Sequence, residues 1–154
     1  MESSSGMHVL RLANSLDADA MAALLGILFS QEADFEPNLA KQRRGLKMIL
    51  ANPDAGKIFC MEKNGAVIGM VNVLFVPSIR HGGMVAWVED VIVHPRWRGC
   101  GHGRRLLKAA LQFAREARCV GAVLLTDSSN TRARAFYASE GFELSPQLPM
   151  RVML

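Results

Sequence analysis

The chain has 154 residues, 50% of them hydrophobic, with 18 lysines and arginines against 14 aspartates and glutamates for a formal net charge of +4. That length supports one hydrophobic core and is short for two ordinary domains, so a tail over 1–6 and a single domain over 7–154 are expected. No apolar run reaches the roughly 18 residues of a membrane span, and Met1-Glu2-Ser3-Ser4-Ser5-Gly6 resembles no secretory leader, so a cytoplasmic protein without a membrane partner is expected.

In chain order, residues 1–6 are expected to be disordered and residues 8–12 to form a first strand. Ser15 is placed to cap a helix on which Met21, Leu24, Leu25 and Leu28 recur at helical spacing, with Asp17 and Asp19 at its positive end. An acidic connector, Glu32-Ala33-Asp34-Phe35-Glu36-Pro37, leads to a second helix over 38–50, which Asn52-Pro53-Asp54 stops. The period then turns extended: 57–62 and 66–76 flank Asn64-Gly65, a strong hairpin signal, and 85–93 follows Gly82-Gly83, giving an antiparallel meander. Leu106, Leu107, Ala110, Leu111 and Ala114 mark one face of a helix ending near Cys119. Residues 122–126 form a short apolar strand, and Asn130 caps a last helix through Ser139 with Gly141 as its C-cap. Residues 142–144 and 150–154 are expected to close the fold as a hairpin.

The segment between the third strand of the meander and the following helix carries the most chemistry. His94-Pro95-Arg96-Trp97-Arg98-Gly99-Cys100-Gly101-His102-Gly103-Arg104-Arg105 puts glycine at alternate positions, arginines around them, and a helix N-terminus behind. Backbone N–H groups, a helix dipole and guanidinium charge together make an anion cradle. The dinucleotide fingerprint would need glycine at Arg104 or Leu106, and a phosphate loop would need Lys-Ser or Lys-Thr after Gly103, so neither nucleotide motif fits. The basic charge is local to this turn, and no recognised nucleic-acid motif accompanies it, so no nucleic-acid partner is expected. Lys41, Arg43, Arg44 and Lys47 are expected to form a solvated helix face. Cys60, Cys100 and Cys119 are odd in number and unpaired in spacing, and with no Cys/His cluster no metal is expected.

Arg98, Gly101 and Gly103 spell R-x-x-G-x-G after the strand end Val93-His94-Pro95, which resembles the acetyl-CoA loop of the GCN5-related N-acetyltransferases (GNAT family). A second stretch, Asn130-Thr131-Arg132-Ala133-Arg134-Ala135-Phe136-Tyr137-Ala138-Ser139-Glu140-Gly141-Phe142, is similar to that family's N-x-x-A-x-x-F-Y-x-x-x-G-F. The resemblance implies an α/β (α+β) single-domain fold, a mixed and mostly antiparallel sheet flanked by helices in the order β-α-α-β-β-β-α-β-α-β-β. It implies an enzyme that moves an acetyl group from acetyl-CoA to a primary amine of a small molecule or peptide. Position by position, the backbone of Val91, Ile92 and Val93 would pair with the pantetheine arm, and the amides of Arg98, Gly99, Cys100, Gly101, His102, Gly103 and Arg104 would hold the pyrophosphate. Asn130 would contact the cofactor, and Tyr137 would lie near the thioester sulfur to protonate the departing thiolate. Relatives often dimerise, so a homodimer is an expectation.

The chemistry also needs a base, because an amine with a pKa near ~10 is mostly protonated at neutral pH. Glu89 and Asp90 are acidic residues in an otherwise apolar strand. Strand alternation lets at most one face the cleft, and Glu89 ranks ahead of Asp90 because strict alternation puts it on the face of Val91 and Val93. A backbone N–H near Val91 to Val93 is the candidate oxyanion donor. Ribosomal-protein acetyltransferases carry a glutamate five residues before the capping asparagine; Leu125 stands there, so that base does not transfer. Phe29, Glu32, Phe35 and Phe75 are candidate acceptor-site residues, Cys100 is read as contributing only its amide, and His8, His81, His94 and His102 as surface or loop residues. The alternative from another class is a noncatalytic acyl-CoA-binding regulatory module, which would keep the loop and dispense with a base.

Overall fold

A computed structural model describes residues 6–32 and 36–154. Five strands form one sheet in the order β1 (His8–Leu12), β2 (Gly56–Lys63), β3 (Ala66–Ser78), β4 (Gly83–Val93) and β5 (Gly121–Leu124). The first four pair antiparallel and β5 runs parallel to β4. Four helices, α1 (Ala18–Ser30), α2 (Leu39–Leu50), α3 (His102–Glu116) and α4 (Thr131–Ser139), complete the fold. The β2–β3 turn is the expected Asn-Gly hairpin, with Asn64 at φ 50° and Gly65 at φ 81°, the left-handed pair that matches strand twist.

Two layers of side chains leave the sheet. Val71, Val73, Ala86, Val88 and Val93 pack with Leu106, Leu107, Ala110 and Ala114 of α3, while Met70 and Ile92 pack with Met21, Leu24 and Leu25 of α1 and Leu46 of α2. The apolar stripe of α3 thus covers one face and the α1–α2 pair covers the other. Leu106 is 0% exposed beneath the strands. Leu106→Ala is expected to lower unfolding free energy by about 2–5 kcal/mol, because a fully packed site leaves a cavity. A urea titration with unchanged slope checks this, and a loss near zero would mean that α3 does not form the core lid described here.

Three expectations need correcting. Asn14, not Ser15, opens the first helical region: its Oδ1 accepts from Leu16 N–H at 2.9 Å, the Asp17 carboxylate accepts from Asn14 N–H at 2.8 Å, and a 3-10 turn over Ser15–Asp17 precedes α1. The strand expected over 122–126 is Gly121–Leu124. No residue over 142–154 lies in a strand. Pro146 and Pro149 remove two ladder donors from the stretch that would have to turn the hairpin. Asp34 and Phe35 of the acidic connector, and residues 1–5 of the expected tail, lie outside the described residues.

Candidate active site

β4 pairs with β5 only over Val85 to Val88, opposite Gly121 to Leu124. Beyond Val88 the β4–β5 pairing ends, so the β4 edge from Glu89 to Val93 has no strand beside it on that side among the described residues. An open edge of this kind offers backbone N–H and C=O groups to an extended ligand arm. The sequence placed the arm-binding backbone at Val91, Ile92 and Val93, and these three residues lie along that opening.

The anion cradle stands at the end of the same strand. Gly99 and Gly101 have φ of 78° and 80°, and a Cβ added at either would meet no other atom within 4 Å. Open space lies above both, and their conformation is one that glycine adopts at least cost. Gly101 is the N-cap of α3 and supplies no side chain there. The first helical bond runs from Arg105 N–H to Gly101 O at 3.1 Å, which leaves the His102, Gly103 and Arg104 N–H groups without an intrahelical acceptor. Free helix N–H groups thus stand beside the open space at Gly99 and Gly101.

Two arginine side chains expected near the anion turn elsewhere. Arg98 Nε donates to Val93 O at 2.9 Å and its own N–H closes the preceding turn onto Pro95 O, so this residue pins the loop to the end of β4. Arg104 Nε meets Glu140 Oε1 at 2.5 Å, tying α3 to the end of α4. His102, expected in a loop, is 4% exposed, and burial is the main cause holding its imidazole below the usual range, with the nearby His8 ring second. Its ring lies tilted 4.4 Å from that of His8, which in turn meets Trp97 edge-on at 6.1 Å. Only its backbone reaches the cradle. Cys100 is exposed, with a weak Sγ contact to Arg98 O at 3.7 Å.

The centre of the opening is built by a bulge the sequence did not reveal. Register passes from Met70 opposite Ile92 to Asn72 opposite Glu89, so Asp90 and Val91 together face Val71. Asp90 takes φ 53°, in the left-handed region. Aspartate tolerates that region better than most residues, yet such strain concentrates at functional sites. The extra residue inverts the alternation. Val91 and Val93 pack on the α3 side, whereas Glu89, opposite Asn72, lies on the α1 face with Ile92. The expected shared face of Glu89 with Val91 and Val93 is therefore incorrect.

Both acids remain at the opening, with unequal environments. Burial, aided by the charges of Glu89 and then Glu32, pushes the Asp90 carboxyl up to about 6, against a smaller opposing effect from the Asn72 side chain. Glu89 keeps more of its surface in solvent, and the protein around it still moves its carboxyl upward by desolvation. An acid pushed toward neutrality by its surroundings is suited to exchange protons near pH 7, which favours Asp90 over Glu89.

Tyr137 packs its half-buried ring between Phe136 and Phe142, at centroid distances of 5.2 and 6.0 Å, and burial pushes its phenol above the usual range. A phenol kept protonated can donate to a leaving thiolate. Asn130 caps α4, its Oδ1 accepting from Ala133 N–H at 3.0 Å, which leaves its amide nitrogen for a ligand. Phe75 is not an acceptor wall: it stacks on Phe113 at 5.6 Å beneath α3, because β3 has regular alternation there. Phe29 packs with the α1–α2 layer. Glu32 follows α1 directly, and burial first, then the charge of Asp127, pushes its carboxyl up. Phe35 lies outside the described residues. Asn72 and Asp127 were missed, although an asparagine inside Val71-Asn72-Val73 was a visible signal.

A strand edge that opens beside a parallel neighbour, with unpaired amides of a glycine loop at one end and a half-buried acid at its middle, suits a group-transfer enzyme. Comparison with known proteins names the group. The family model described as Acetyltransferase (GNAT) family matches residues 21–142. An aminoalkylphosphonate N-acetyltransferase of Salmonella typhimurium is 29% identical over 136 residues, covering 88% of this chain and 85% of that protein. A glucosamine 6-phosphate N-acetyltransferase of Trypanosoma brucei brucei is 29% identical over 106 residues, covering 68% of this chain and 66% of that protein. A predicted acetyltransferase of Clostridium acetobutylicum, solved with acetyl-CoA, superposes with a TM-score of 0.79 at 18% identity, covering 95% of this chain and 96% of that one. The chain belongs to the GNAT acetyltransferase family and is an acetyltransferase.

Proposed function

We propose that the protein transfers an acetyl group from acetyl-CoA directly to a primary amine, with Asp90 as the base and Tyr137 as the acid. The observation that carries this reading is the β4 bulge, which sets a carboxyl with a raised pKa beside an unpaired strand edge leading into the glycine cradle. Acetyl-CoA fits the residues present: the cradle offers unpaired amides and open space to a pyrophosphate, and the edge from Glu89 to Val93 offers backbone partners to the amide-bearing arm. When bound, it supplies an acetyl carbonyl activated as a thioester.

The chain's own groups supply the remaining needs. Asp90 accepts the proton of the incoming ammonium, directly or through water. A backbone N–H of the bulge donates to the acetyl oxygen as charge develops on it. Tyr137 gives its proton to the departing sulfur. The relatives named above act on small amines, glucosamine 6-phosphate and aminoalkylphosphonates, which favours a small molecule over a peptide as acceptor.

Direct transfer leaves no task for a thiol of the protein. Cys100→Ala is expected to keep turnover within about threefold, since its contribution is a backbone amide; a loss above ~100-fold would establish a covalent route. The reading as a whole is tested by thiol release from acetyl-CoA against a panel of amines and peptides. Amine-dependent release with a matching N-acetylated product is expected. Cofactor binding with no release on any acceptor would overturn it.

A further inference from the structure

The glycine loop is held at both ends by one corner of the sheet. His8 of β1 and Lys63 of β2 are cross-strand partners. Just before the loop, the Trp97 ring takes the Lys63 Nζ at 4.0 Å from its centroid and meets the His8 ring edge-on at 6.1 Å. Just after it, His102, the first residue of α3, lays its ring 4.4 Å from that of His8 at a tilt of 43°. Arg98 to Gly101 therefore run between two side chains, Trp97 and His102, that rest on the same pair of strand residues.

The His102 anchor suits only one protonation state. His102 and Lys63 are 4% and 7% exposed, and neither ring nitrogen of His102, nor Nε2 of His8, has a hydrogen-bond partner among the described residues. Burying a polar group in this way costs about 1–3 kcal/mol, and burying a charged one costs more. The titratable and charged groups around the ring are His8 from β1, Lys63 from β2 and Arg105 from α3, with Arg96 beside Trp97 in the preceding turn. All four are bases, so none of them stabilises an imidazolium, and the positive end of α3 opposes one as well.

We propose that His102 is a proton-sensitive positioning residue for the cofactor: acetyl-CoA binds the form in which its ring is neutral and seated on His8, and protonation unseats the ring and weakens binding. The coupling runs through the backbone, because the His102 N–H is one of the free donors at the start of α3, and a turn that unseats the ring also moves that donor. This rests on reading the glycine loop as the cofactor site and adds the regulation of that site: affinity for the donor falls as the surroundings acidify. A base held below its usual pKa of 6.5 contributes full stability to the seated arrangement above that value, and loses it as pH falls through the lowered one.

Calorimetry with 3′-dephospho-coenzyme A, which lacks the phosphate monoester that itself titrates near ~6, measures the protons exchanged on binding. In buffers of different ionisation enthalpy, release is expected to be close to zero at about pH 7.5 and to rise toward about one proton near pH 5.5, with Kd increasing up to ~10-fold per pH unit at the acid end. His102→Phe, which keeps a ring on His8, is expected to abolish the release. Asp90→Asn, which removes the carboxyl raised to about 6, is expected to preserve it. In the native protein the His102 imidazole, followed by NMR, is expected to titrate at a lower pH with ligand bound than without, a readout that needs no variant. Proton uptake, release unchanged by His102→Phe, or a midpoint raised by the ligand would overturn the proposal; the last is the result if the bound anion simply draws charge to the ring. Binding with no proton exchange would refute the proposal alone, whereas absence of binding at every pH would refute the cofactor reading and the proposal with it.

Discussion

Asp90→Asn is expected to lower kcat/KM for the amine by about 100- to 10,000-fold, the usual contribution of a positioned base, with little change in affinity for acetyl-CoA. Asparagine keeps the shape and still tolerates the left-handed backbone of the bulge, so the loss isolates proton transfer. The same variant has a second signature. Burial and neighbouring acids raise the carboxyl to about 6, so folding favours the protonated form. A group whose folded pKa exceeds its unfolded value contributes stability below the unfolded pKa, and that contribution disappears as pH rises through the folded one. At pH 7 the ionised Asp90 is thus a stability cost, and Asp90→Asn is expected to raise Tm by on the order of a few degrees while activity falls. Lower activity with a lower Tm would instead mark a structural residue.

Tyr137→Phe is expected to lower turnover by about 10- to 1000-fold, because the leaving thiolate loses its proton donor while the ring keeps its contacts with Phe136 and Phe142. The effect should fall on kcat more than on KM, since the hydroxyl acts when charge develops on sulfur. A better leaving group, with a thiol of lower pKa, should reduce the penalty. Turnover within about twofold of the native protein across pH would remove the phenol from the reaction.

The sequence made the frame legible where local chemistry decides the outcome. Asn64-Gly65 can form only a narrow set of turns, the alternating glycines between Arg98 and Gly103 mark a cradle, and the stripe from Leu106 to Ala114 marks the helix that covers the sheet. What stayed hidden depends on tertiary pairing. A bulge adds one residue opposite Val71, and nothing local distinguishes Asp90 from any other strand residue, so strict alternation put Glu89 on the wrong face. Phe75 failed as a pocket wall because its fate depends on Phe113, far along the chain. Arg104 looked like a phosphate ligand until Glu140 was brought beside it.

The mechanism turns on which acid takes the proton, and a pH–rate profile addresses that most directly. With an amine that binds as its ammonium, kcat/KM is expected to climb about tenfold per pH unit below an apparent pKa near 6 and to level off above it. That limb should persist in Glu89→Gln and vanish from the residual activity of Asp90→Asn. A limb that survives Asp90→Asn and is abolished by Glu89→Gln would contradict the assignment and return the base to the exposed neighbour.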